Sequence, residues 1–119
     1  MVESAEILDE TQLGGLAEAA GIEGVKAILE AFWTSTEELA ADLCQAVAAN
    51  DIDNTAKLGH AIKGSSANLG ASLMANRATV IETAAKAEDM NQVKTELSQF
   101  ADDIAKTRQA MDALLARYD

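Results

Sequence analysis

Apolar residues recur along this chain at intervals of three and four, the spacing of a helix face rather than of a strand. A first short segment, about Asp9 to Ala20, stops at Gly21 and holds a Gly14-Gly15 pair that weakens it. The next runs from about Ile22 to Ala49, with Val25, Ile28, Leu29, Phe32, Thr36, Leu39, Leu43 and Val47 on one stripe. "NDIDN" breaks the pattern, and Asp51 is placed to cap a helix running to about Leu69, where Gly70 suits a left-handed C-terminal position. From about Ser72 to Ala87, Met74, Ala78, Ile81 and Ala85 share a face; Asp89 then caps the last helix. Its seam is Val93, Leu97, Phe100, Ile104, Thr107, Met111, Leu114 and Tyr118.

Four long amphipathic helices joined by short connections should lie antiparallel around one core. The expected fold is all-α: an up-down-up-down four-helix bundle with a short additional N-terminal helix. Residues 1–119 read as a single domain, with the short helix over about 9–20 and the bundle over about 22–118. Composition agrees, because the chain has no proline to interrupt a helix and is rich in alanine, leucine and glutamate.

A formal charge of −11 argues against nucleic acid and against anionic lipid, both of which need clustered Lys and Arg. One cysteine, Cys44, excludes an intramolecular disulfide and suits a reducing compartment. No run approaches the roughly 20 apolar residues of a membrane span, and "MVESAEILDE" lacks the features of a signal peptide. The expected location is cytoplasmic.

The one histidine, His60, lies in "GHAIKGSSANLGAS", residues 59–72. With Leu58 set at zero on a helical wheel, Ile62, Ser65 and Leu69 fall within about 40° and form the expected core face. Ala56, His60, Lys63, Gly64 and Ala67 gather near the opposite side, so His60 should project outward from mid-helix. Free imidazole, with a reference pKa of about 6.5, is a good nucleophile near neutrality. Metal binding is a poor use for it, since no second histidine exists and Cys44 lies on another helix. A hydrolytic triad is equally poor, since Ser65 is expected to face the core and no strained nucleophile turn is apparent. What remains is an exposed nucleophile with a cation three residues on. Lys63 can offset the charge of a phosphoryl group. Gly64 costs about 1 kcal/mol of helix propensity relative to Ala, which is understandable if a partner's backbone must approach closely.

The run His60-Ala-Ile-Lys63-Gly64-Ser65-Ser66-Ala-Asn68-Leu69-Gly70-Ala71 strongly resembles the signature of histidine-containing phosphotransfer (HPt) domains. Phe32, Asp51 and Ile81-Glu82 look like that family's usual Phe, Asp and Leu-Glu positions, and the resemblance spans essentially the whole chain. It implies that His60, through Nε2, accepts a phosphoryl group from a receiver-domain aspartate and passes it to another. It implies too that Lys63 assists the phosphate and that Gly64 lets the receiver dock. The metal, usually Mg²⁺, would belong to the receiver, leaving this chain a phosphocarrier with no cofactor or kinase activity of its own. Gly59 departs from the family's usual Ala, adding local flexibility and removing no proposed functional group.

No carboxylate is evident on the His60 face to activate water against a phosphohistidine. Ala56 and Ala67 are expected to border the docked receiver. Trp33, about 100° from core-facing Phe32, is the candidate for a partly exposed partner contact. A monomer is expected. The competing readings are a histidine-kinase dimerisation fragment, whose phosphosites usually carry an acidic residue where Ala61 stands, and an interaction bundle that binds receivers or kinases without chemistry.

Overall fold

Three aspartates start three of the four long helices, and each does so in the same way. Asp9, Asp51 and Asp89 each accept a hydrogen bond from the backbone N–H three residues on, at Gln12 (3.2 Å), Asn54 (3.2 Å) and Gln92 (3.1 Å). In the computed structural model, which describes residues 7–118, the helices are α1 (Glu10–Ala48), α2 (Ile52–Asn68), α3 (Ser72–Lys86) and α4 (Met90–Ala116).

α1 consists of two arms meeting at Gly21, whose φ of 77° and ψ of 164° lie outside the helical region. The short N-terminal helix and the first long helix of the sequence reading are these two arms. Gly70, at φ 73°, ends α2 as expected.

α1 packs on α2, α2 on α3, α3 on α4 and α4 back on α1, so the antiparallel helices close in a ring around a single core. Leu13, Val25, Leu43, Ile62, Met74, Ile81, Val93 and Met111 fill its centre. Gly14 is buried because Tyr118 packs over it: a Cβ there would lie 2.8 Å from the Tyr118 hydroxyl. The N-terminal arm is also tied to the end of α2. Asp9 N–H donates to Gly70 O (2.7 Å), and Gln12 Nε2 donates to Asn68 O (2.9 Å).

Several residues depart from the stripes expected of them. Ile28 and Tyr118 are 38% and 41% exposed, because the α1 stripe needs only Val25, Leu29 and Phe32 at that level, and Tyr118 falls past the end of α4. Asp103, by contrast, is buried on the α4 seam. Arg77 of α3 pays it back in kind, donating from Nε to Asp103 Oδ2 (2.6 Å) and from Nη1 to Glu96 Oε2 (2.6 Å). No described helix is long and apolar enough to cross a membrane.

Candidate functional site

The face that α2 turns to the core is centred on Thr55, Gly59, Ile62 and Ser66, with Leu58, Ser65 and Leu69 only half-buried. Relative to the expected face this is a rotation of roughly 60° about the helix axis. Ser65 therefore does not face the core; Ser66 does, and Ser65 Oγ donates back to Ile62 O (3.3 Å). The cause is Gly59. A Cβ at that position would stand 3.3 Å from Ala78 O, Glu82 N and Glu82 Cβ, so the absent side chain is what lets α3 approach. The small residue is thus a packing requirement here rather than only a source of flexibility.

His60 still projects outward, with its side chain 67% exposed. Close approach of α3 brings a carboxylate beneath it that the wheel of α2 alone could not show. Glu82, nearly buried, places Oε2 3.2 Å from His60 Nδ1. The expectation of no carboxylate at the site is therefore corrected. This carboxylate reaches Nδ1, and Lys63 Nζ (3.3 Å from Oε1) and Lys86 Nζ (2.9 Å from Oε2) hold it in place.

Those ammonium groups decide its charge. Burial alone would raise the Glu82 pKa, but the hydrogen bond from Lys86, followed by that from Lys63, outweighs it and lowers the pKa from 4.5 to about 2. An ionised carboxylate can only accept, so a neutral imidazole bonded to Glu82 donates that hydrogen bond from Nδ1–H and keeps its lone pair on Nε2.

Around this pair, Ala56, Lys57, His60, Glu82 and Lys86 line an open cavity of about 350 Å³. Gly64 and Ala67 are exposed beside His60, and nothing lies within 4 Å of where a Gly64 Cβ would be. Ala56 is half-buried at the α3 side. Lys63 is drawn inward onto Glu82, with 37% of its side chain exposed.

Trp33 does not join them. It is 6% exposed, packed edge-on against Phe32 with ring centroids 4.9 Å apart and covered by the Arg108 guanidinium at 4.9 Å. The expected partial exposure is corrected: α4 covers this ring, and Trp33 lines a groove between α1 and α4 while His60 stands between α2 and α3.

Of the site, sequence reasoning missed the roles of Glu82 and Lys86. The signal for the pair was their i, i+4 spacing on α3, which puts an acid and a base on one side of a helix.

Comparison with known proteins leads to the same place. The Hpt domain family matches residues 27–117. The phosphorelay protein LuxU of Vibrio vulnificus, in strains YJ016 and CMCP6, is 29% identical over 105 residues, 88% of this chain and 91% of its own. The crystal structure of histidine-containing phosphotransfer protein B (HptB) from Pseudomonas aeruginosa PAO1 superposes with a TM-score of 0.84 at 26% identity, covering 95% of this chain and 97% of that one. An outward histidine on a closed four-helix bundle and a family match over most of the sequence have one meaning: the chain belongs to the Hpt domain family, and is a histidine phosphotransfer protein of a phosphorelay.

Proposed function

We propose that His60 is the phospho-acceptor. Nε2 attacks the phosphorus of a receiver-domain aspartyl phosphate; the Nε2–P bond forms as the carboxyl O–P bond breaks, and the aspartate leaves as a carboxylate. The reverse exchange delivers the group to a second receiver. The observation that carries this reading is the Nδ1–Glu82 contact, which fixes the ring and presents the unprotonated nitrogen to the exposed side. Glu82 is a positioning residue in this scheme. It lies on the Nδ1 side of the ring and is occupied by two lysines, so it is badly placed to activate water at Nε2.

Phosphoryl transfer asks a carrier mainly for position and charge compensation. Lys63, which shares Glu82 with the ring, is the cation of α2 that compensates the phosphoryl charge, and the exposed patch at Gly64 and Ala67, with Ala56 at its border, is where the receiver's backbone approaches. The reading places a divalent metal, Mg²⁺, on the receiver and no cofactor or kinase activity on this chain. It also takes the chain as cytoplasmic, and as a monomer because four helices of one chain already close the bundle.

The test is transfer of label from a phosphorylated receiver domain. Label should appear on His60 as acid-labile, base-stable phosphate, and His60→Gln should keep its helicity and accept none. Label on a folded His60→Gln protein, or none on the wild type with any receiver of the source genome, overturns the reading.

A further inference from the structure

Three ammonium groups and one carboxylate stand around His60 in a chain whose overall formal charge is −11. Lys57 lines the cavity, Lys63 holds Glu82 Oε1, and Lys86 holds Glu82 Oε2. With neutral imidazole these four side chains sum to two positive charges, and a phosphoryl group would add a dianion among them. Three of the nine basic residues of the chain are spent on this one spot.

Lys86 differs from Lys63 in a way that bears on the reaction. It comes from α3 rather than from the helix carrying the histidine, and its side chain is 66% exposed against 37% for Lys63. It shares the single oxygen Oε2 with His60 Nδ1, at 2.9 and 3.2 Å, and lines the same cavity as the ring. A flexible four-carbon stem can carry its ammonium from Oε2 toward the ring's outer nitrogen. Asp51, Asp53 and Glu88 line a neighbouring cavity that Lys86 also borders, yet the ion pair it makes is with Glu82.

We propose that Lys86 is a second phosphoryl-binding cation: it rests on Glu82 in the unphosphorylated protein and moves onto the phosphoryl oxygens as Nε2–P forms. The group on His60 is then held from both helices, by Lys63 from α2 and by Lys86 from α3. This rests on the assignment of His60 as acceptor. The exchange is favourable because a doubly charged phosphoryl group competes for the Lys86 ammonium with a singly charged carboxylate.

The experiment is a double-mutant cycle on the rate of label transfer from a phosphorylated receiver. Lys86→Gln should slow transfer about tenfold, a loss of about 1.4 kcal/mol in transition-state stabilisation, and Lys86→Arg should restore most of it. A residue that acted only by holding Glu82 would lose its effect once the carboxylate is gone. Lys86→Gln should therefore cost a similar factor in a Glu82→Gln background. Transfer unaffected by Lys86→Gln in either background overturns the proposal, while His60 remains labelled. Label that fails to reach His60 in the wild-type protein overturns the acceptor assignment itself.

Discussion

Gly59 and Glu82 touch across the α2–α3 interface: a Cβ on the glycine would sit 3.3 Å from both the backbone nitrogen and the Cβ of the glutamate. The distance between two helices, and through it the carboxylate beneath the imidazole, depends on a side chain that is missing. Gly59→Ala should therefore be destabilising despite better helix propensity. The gain of about 1 kcal/mol is opposed by overpacking of about 1–3 kcal/mol, because the third contact is the Ala78 backbone carbonyl, which cannot rotate away. Urea denaturation should show a net loss on the order of 1 kcal/mol, and a larger one for Gly59→Val.

Gly64, five residues on, should behave in the opposite way. Its Cβ direction is open, so Gly64→Ala should stabilise the domain by about 0.5–1 kcal/mol. Gly64→Gln should likewise leave the fold intact while slowing transfer from a phosphorylated receiver about tenfold or more. Stability from urea denaturation and transfer rate, measured on the same variants, would then move in opposite directions. A transfer rate unchanged by Gln would show that no backbone comes close to this position.

Glu82 gives the domain a pH dependence of known sign. Its pKa in the folded protein, about 2, lies below the ordinary 4.5, so the unfolded chain binds the proton more readily. The stability it contributes is fully present above about pH 4.5 and is lost as the pH falls toward 2. Between pH 5 and pH 3, the wild-type protein should lose more stability to acid than Glu82→Gln does, as read from urea midpoints. Equal slopes for the two proteins would mean that the lysines do not hold this carboxylate ionised.

Helix ends were legible in the sequence because a cap is a local event: Asp51, Asp89 and Gly70 need only their own neighbours to act. The outward direction of His60 was legible for a related reason, since it is fixed by the periodicity of one helix. Contacts between helices were not. Weighting the stripe of α2 by its larger residues, Leu58 and Leu69, put its centre too far from Gly59, because the closest approach between helices occurs where side chains are smallest. The same blindness applies to Trp33, which is covered by Arg108 from α4, and to Asp103, which is charged yet buried because Arg77 meets it from α3.

That last contact has a bearing on the histidine it never touches. Arg77 and Glu82 are on the same helix, about 7.5 Å apart along its axis and about 140° around it. Arg77 grips α4 through Asp103 and Glu96, while Glu82 reaches toward α2. If α3 slid by one turn, about 5.4 Å, the grip would break and the carboxylate would leave the reach of Nδ1 together. The two carboxylates of α4 therefore work as a gauge stop, setting from the far side of α3 the height at which a proton is held under the imidazole.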